Sequence, residues 1–265
     1  MQSSRRRVQE LLWIFGLNRL TAWIWEVLRG RKAISQYRRM KDFYSALLPK
    51  DALIFDIGAN IGTMTRVFVS VGAQVVAIEP NPDCVRHIEL TTSRKAVEVL
   101  HAAVSDANGL AVLKVSDRKD KMSSLSDDWR DAVSRQNADY VGIWNRELTV
   151  PSVTLDALIE RYGLPYYIKI DVEGHEERVI QGLSHRPPLL SFEFNRVFLD
   201  SALRAIANGV FAESLFNYTL VDPCKFELPD WVGRDELRER IRKLDNDGPA
   251  LGDIFVKTGA RPWDI

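Results

Sequence analysis

An apolar strand that runs into an acid and then a glycine turn constrains this fold more than any other stretch of the chain. Ile54-Phe55-Asp56-Ile57 leads into Gly58-Ala59-Asn60-Ile61-Gly62-Thr63, and a second apolar run, Gln74-Val75-Val76-Ala77-Ile78, closes on Glu79, 17 residues beyond Gly62. Strand, glycine loop, helix and strand in that order form a β–α–β unit, and such units build parallel sheets covered by helices. The alternation continues along the chain. Strand patterns lie near 52–56, 74–79, 97–104, 166–171, 188–194, 217–221 and 252–257, with helices near 62–71, 82–94, 154–162, 175–183, 199–207 and 234–244. The expected fold class is α/β: a doubly wound, mostly parallel seven-stranded sheet with helices on both faces.

A unit of this shape suits a nucleoside-bearing ligand. Gly58 can take a positive φ and let a ligand approach the backbone. The helix after Gly62 points N–H groups toward a ligand carboxylate, and Glu79 stands where an acid can accept ribose hydroxyls. The glycine spacing is G-x-x-x-G, not the G-x-G-x-x-G that brings backbone against a pyrophosphate. Asp56 would repel a pyrophosphate but attract the ammonium and sulfonium of S-adenosylmethionine. No Lys-Ser/Thr pair follows Gly62 to make a phosphate loop. The loop residues Asp56, Gly58, Asn60 and Gly62, with Glu79, therefore favour S-adenosylmethionine.

Charge divides the chain. Residues 1–50 carry 11 Lys and Arg against 3 Asp and Glu, a net of +8, so the other 215 residues hold 25 basic and 33 acidic groups. The same segment holds Trp13, Trp23 and Trp25, and apolar residues from Val8 to Leu28 recur at helical spacing. We read residues 1–50 as a helical N-terminal extension acting as a lid or homodimer element, with a membrane-surface helix as the alternative. Residues 51–265 form the main domain. An acidic domain opposes a polyanion, so no nucleic-acid partner is expected. Cys84 and Cys224 have no metal-ligand spacing and are too few for a disulfide framework, which fits a reducing compartment. Without an uncharged apolar run of about 18 residues or a signal-peptide cleavage site, a cytoplasmic location is expected, with peripheral contact at the inner membrane face left open.

A second chemical cluster is Tyr167-Ile168-Lys169-Ile170-Asp171-Val172-Glu173-Gly174-His175-Glu176. Strand alternation sends Lys169, Asp171 and Glu173 to one side. In a doubly wound sheet, ligands sit beyond the carboxyl ends of strands, which is where Asp171, Glu173, His175, Glu193 and Asn195 fall. Lys169, in an apolar strand, needs a neighbouring acid. Glu176 and Glu177 are read as solvated acids of a first helical turn. Leu110–Val115, after the Asn108-Gly109 turn, is predicted to pair with the third strand. Residues 116–150 show little period, and from this insertion Ser124 and Trp144 are candidate contacts to the methyl acceptor.

Asp-Ile-Gly-Ala-Asn-Ile-Gly (56–62), Ile-Glu-Pro-Asn-Pro (78–82), Ala-Ala-Val-Ser-Asp (102–106), Ser-Ser-Leu (123–125), Val-Thr-Leu-Asp (153–156), Ile-Lys-Ile-Asp-Val-Glu-Gly-His-Glu (168–176) and Ser-Phe-Glu-Phe-Asn (191–195) together resemble the FkbM family of S-adenosylmethionine-dependent methyltransferases. The resemblance spans roughly residues 50–258. It implies a Rossmann-like class I methyltransferase fold and O-methylation of a hydroxyl on a sugar, glycolipid or secondary metabolite. In that fold Ser105 and Asp106, after the third strand, are expected at the adenine edge.

Methyl transfer to an alcohol needs alignment and a place for the proton. His175 is the expected base, oriented by Asp171 and Glu173, with Asp171 itself as the other candidate. Glu193 and Asn195 are placed on the acceptor side. A divalent metal on Asp171, Glu193 and Asn195 would be of the Mg²⁺ type, and no metal is expected. Two alternatives are a ribose 2′-O-methyltransferase acting on RNA, suggested by Lys169 among acids, and a non-catalytic interaction protein of the same fold.

Overall fold

The computed structural model describes residues 30–116, 123–220, 223–244 and 251–258. The apolar stripe from Val8 to Leu28, with its tryptophans, lies outside the described residues. The described chain begins with α1 (Arg31–Leu47), followed by β1 (Leu53–Ile57), α2 (Thr63–Ser70), β2 (Gln74–Ile78), α3 (Pro82–Thr91), β3 (Val97–Leu100), β4 (Ala103–Val104), β5 (Gly109–Ser116), β6 (Ser123–Ser124), α4 (Asp127–Gln136) and β7 (Trp144–Val153). Then come α5 (Leu155–Tyr162), β8 (Tyr167–Ile170), α6 (Glu176–Gln181), β9 (Leu189–Asn195), α7 (Leu199–Ile206), β10 (Leu215–Thr219), α8 (Arg234–Lys243) and β11 (Leu251–Lys257).

The main sheet has seven strands in the order β10-β11-β9-β8-β1-β2-β3. Strands β3, β2, β1, β8 and β9 are mutually parallel, whereas β11 runs antiparallel to both β9 and β10. This is the doubly wound, mostly parallel α/β sheet expected from the alternation. From β1 the chain winds one way through β2 and β3, then crosses back to β8 and β9 on the other side. The β1/β8 boundary is therefore the topological switch point, where an open sheet leaves a crevice beyond its carboxyl ends.

Period-two alternation sorts the strand residues between two helical layers. Phe55, Ile57, Val76, Ile78, Ile168, Ile170, Leu190 and Phe192 face α5–α8 and form one core. Ile54, Val75, Ala77, Tyr167, Leu189 and Phe255 face α1, α2 and α3 and form the other. The α1 residues Tyr37, Met40, Phe43, Tyr44 and Leu47 make one apolar stripe at helical spacing, and that stripe packs on this second core. Tyr44 meets Phe68 and Tyr167 at ring centroid distances of 5.1 and 5.9 Å. The described part of the N-terminal extension is thus a layer of the domain.

The insertion departs from expectation. Leu110–Val115 does not pair with the third strand. It lies in β5, antiparallel to β7, in a separate four-stranded sheet ordered β4-β7-β5-β6. The break comes at His101-Ala102, after which Ala103 and Val104 pair with Ser152 and Val153 of β7. Residues 123–150 are also far from irregular, holding α4 and β7. The β7 period was hard to see because its inward positions include Trp144, Arg146 and Ser152, and Pro151 argues against a strand.

Candidate active site

The strand register brings four chain positions to one level at the carboxyl edge of the sheet. Ile78, Ile57, Ile170 and Phe192 are neighbours across β2, β1, β8 and β9. The next residues are Glu79, Gly58, Asp171 and Glu193. They line one cavity with Asn60, Glu173, Ser123, Ser124 and an apolar wall that includes Pro80, Ala103, Val104, Leu113 and Leu125. The cavity is partly open to solvent and, with that open space counted, spans about 760 Å³. Among the described residues, four acids line it and no Lys or Arg does.

Gly58 is required twice. Its φ is +78°, and a Cβ there would run into the backbone carbonyl oxygen of Asp171. Strands β1 and β8 therefore close on each other beneath the cavity floor. Asn60 adopts φ +50°, a left-handed conformation that Asn tolerates better than most residues. That conformation aims its N–H at Glu79 Oε2 at 2.8 Å, while Asn81 N–H donates to Oε1 at 2.8 Å. Glu79 is thus fixed with both oxygens still able to accept a diol. Burial pushes its pKa up to about 7 against the lowering effect of those two donors.

Asp56 and Gly62 lie outside the cavity. Asp56 is buried and accepts the Thr65 hydroxyl at 2.5 Å, tying β1 to α2. Burial raises it to about 6. Gly62 precedes α2 in a left-handed conformation, and a Cβ there would press on Ile88. Both residues shape the loop without lining the ligand space.

The β8 exit is held by three local devices. Glu173 has φ +54°, a conformation costing a bulky residue about 1–3 kcal/mol unless its surroundings enforce it. The Ser124 hydroxyl donates to the Glu173 carbonyl at 2.7 Å. The Glu176 carboxylate accepts the Val172 and Gly174 N–H groups at 3.1 and 3.2 Å. Gly174 has φ +91°, and the Trp129 ring occupies the space a Cβ would need. Glu176 is therefore a buried loop clamp, contrary to the expectation of a solvated acid, and burial raises it to about 7. Glu177 pairs with Arg204 at 2.8 Å.

Lys169 pairs with Asp171 at 2.8 Å and lies 4.0 Å from Asp253. Burial pulls its pKa down, but Asp171 and Asp253 outweigh burial and hold it well above the usual lysine value. It is a fixed counter-charge under the acidic row.

His175 does not line the cavity. It precedes α6, and its Nε2 is 2.9 Å from the Ser105 hydroxyl. Burial pulls its pKa down to about 4. Ser105 and Asp106 also sit away from the cavity, where the Ser105 hydroxyl donates to Asp106 at 3.0 Å and Arg178 pairs with Asp106 at 2.8 Å. The wall expected from them is made instead by Ala103 and Val104, one or two residues earlier. Trp144 likewise misses the cavity; it packs edge-on against Trp129 at 6.0 Å, with Arg130 over its ring at 5.9 Å. Asn195 caps the following turn by accepting the Val197 N–H at 3.1 Å. Glu193 and Asn195 both reach a smaller adjoining cavity lined by Trp129, Gly174 and Phe198. Among the described residues, no group of three or more His, Cys, Asp or Glu is arranged to hold a metal ion. No described helix is long and apolar enough to cross a membrane.

Residues 56–205, more than half of the chain, match the Methyltransferase FkbM domain family. The chain belongs to this family. One curated relative is the hexuronic acid methyltransferase AglP of Haloferax volcanii, 27% identical over 147 residues, which are 54% of this chain and 54% of that protein. The chain thus matches about half the length of that relative. Similar solved structures include the precorrin-6y C5,15-methyltransferase of Geobacter metallireducens, with TM-score 0.41, 9% identity and coverage of 82% of this chain and 86% of that one. Another is the plantazolicin methyltransferase BpumL, with TM-score 0.40, 11% identity and coverage of 95% and 97%. The wall residues Ala103, Val104, Leu113 and Leu125 escaped sequence reasoning because apolar side chains carry no chemical signature. Trp129 had a signal only in retrospect, as the aromatic that Gly174 makes room for.

Proposed function

We propose that this protein is an S-adenosylmethionine-dependent O-methyltransferase whose acceptor is a hydroxyl on a sugar or a sugar-bearing molecule. One observation carries the reading: among the described residues, four acids and no Lys or Arg line the cavity at the switch point. Such a lining disfavours a pyrophosphate and favours a ligand with an ammonium and a sulfonium. In this reading Glu79 holds the ribose diol, the Ala103–Leu113 wall holds the purine, and Gly58 leaves the backbone open to the ligand's amino-acid end. The sugar acceptor rests on family membership and on the hexuronic acid methyltransferase relative. Residues 51–265 act as the catalytic domain, with residues 1–50 as its extension.

Isothermal titration of the full chain with S-adenosylmethionine and, separately, NAD⁺ tests this. Saturable binding of the sulfonium ligand, weakened in Glu79→Ala, is expected. Binding of NAD⁺ alone would end the proposal.

A further inference from the structure

Two carboxyl groups in the cavity have nothing to hold them. Glu79 takes two backbone N–H bonds, Asp171 is paired with Lys169, and outside the cavity Asp56 and Glu176 are each hydrogen-bonded. Glu173 and Glu193 line the same cavity, yet neither side chain accepts a hydrogen bond or ion pair from any described residue. Both are half-buried and face a cavity partly open to solvent, so they are the carboxyls there with acceptor capacity free for a ligand.

Their positions differ. Glu173 is fixed by its left-handed backbone and by Ser124, and it reaches the main cavity only. Glu193 stands beside Asp171 on one side and opposite Asp253 of β11 on the other. Among the described residues it is the one acid that lines both the main cavity and the smaller one bounded by Trp129, Asn195 and Phe198. From Glu79 on β2 to Glu193 on β9 is three strand spacings, roughly 14 Å. With the ribose at Glu79, Glu193 therefore lies at the far wall, toward the reacting end.

Resting on the proposed methyl transfer, we infer that Glu193 is the catalytic base and takes the proton of the acceptor hydroxyl. The new O–CH₃ bond forms as the S–CH₃ bond breaks, and the electron pair of the broken bond stays on sulfur. The sulfonium charge vanishes as the Glu193 carboxylate is neutralised, so charge balances across the step. The other candidates are occupied or misplaced: Asp171 holds Lys169, Glu79 holds two N–H groups, and His175 is outside the cavity beside Ser105.

The acids around Glu193 are Asp171, Glu173, Glu176 and Asp253, and Lys169 is the cation paired with Asp171 beside them. Burial and its acidic neighbours hold the Glu193 pKa well above the carboxylate range. This favours the protonated form in the ligand-free protein, and a cation bound in the cavity favours release of the proton. Binding of the charged ligand prepares the base.

The test measures that proton. The full chain is titrated calorimetrically at pH 7.5 with S-adenosylmethionine and with the uncharged thioether S-adenosylhomocysteine, each in phosphate and in Tris, so that buffer ionisation heats report proton release. About one more proton is expected to leave with the sulfonium ligand than with the thioether. Glu193→Gln lowers this difference and weakens S-adenosylmethionine binding by about tenfold, as release of one proton near pH 7.5 requires. With glucuronic acid as acceptor, Glu193→Gln lowers kcat by about 10²–10⁴-fold. An unchanged proton difference or unchanged kcat in Glu193→Gln overturns the assignment. Should that variant not fold, Glu193→Asp takes its place, and an unchanged kcat there overturns the assignment as well. Failure of the wild type to bind S-adenosylmethionine at all instead refutes the proposed function itself.

Discussion

Replacing Gly58 with alanine isolates the contact on which the switch point closes. An L-residue in the left-handed region costs about 1–2 kcal/mol. At Gly58 the added methyl also meets the Asp171 carbonyl oxygen, a backbone atom that cannot swing away like a side chain. Overpacking of this kind costs about 1–3 kcal/mol. The sum is roughly 2–5 kcal/mol, and with 2–4 °C per kcal/mol for a domain this size, Tm should fall by about 4–20 °C. Gly72→Ala is the control, because Gly72 has φ +96° and nothing within 4 Å of a new Cβ. The loss of unfolded-chain entropy on Gly→Ala is common to both variants and cancels between them. Thermal and urea unfolding of the two, measured side by side, give the collision alone. If Gly58→Ala is no less stable than Gly72→Ala, the β1–β8 contact has been misread.

Glu79→Gln should weaken S-adenosylmethionine binding by roughly 10- to 150-fold, the equivalent of losing hydrogen bonds to a charged acceptor, as read by titration calorimetry. A loss under threefold would remove Glu79 from the ribose site. His175→Gln should leave that affinity within about threefold and lower Tm, because the ring holds Ser105 and does not line the cavity; a large drop in affinity with unchanged Tm would contradict this. Stability should also fall with pH. Burial raises Glu79 and Glu176 to about 7, and burial with Asp171 raises Glu173 to about 8, from ordinary values of 4.5. The folded state then binds more protons than the unfolded state, so their contribution is present below 4.5 and is lost as pH rises toward the folded values. His175, lowered to about 4, opposes this only below its ordinary 6.5. The ligand-free protein should therefore lose thermal stability between pH 6.5 and 8, less steeply in Glu79→Gln, and a Tm that rises across this window would contradict the assignment.

The sheet was legible because parallel strands buried on both faces must be apolar throughout, and Ile54–Ile57, Gln74–Ile78 and Tyr167–Ile170 are nearly so. Glu79 and Asp171 were legible for a related reason, as acids that close apolar strands. What the chain order hid was direction. His175 sits four residues from Asp171, yet the left-handed turn at Glu173 and Gly174 carries it past the rim to Ser105. Ser105 and Asp106 missed the cavity because the third strand breaks at His101-Ala102 and the chain leaves the main sheet there. Glu176 looked solvated because a helix-start acid usually is, whereas here the same turn folds two N–H groups onto it. In each case a backbone conformation, which residue type only weakly encodes, outweighed spacing.

One row of residues ties these points together. Along the carboxyl edge, β2, β8 and β9 each continue with an acid, Glu79, Asp171 and Glu193, while β1 continues with Gly58. Like charges at one level of adjacent strands repel. The arrangement persists because Lys169 offsets Asp171 from beneath and because burial raises the pKa of Glu79 and Glu193, which eases the repulsion. In the proposed reading a bound cation favours release of protons from these acids, which couples ligand recognition to their ionisation. The strand without a side chain at this level is the central one, at the switch point. A ligand lying over Gly58 touches backbone below and an acid to either side, and this is why the one glycine in the row is the position where a methyl group should do the most damage.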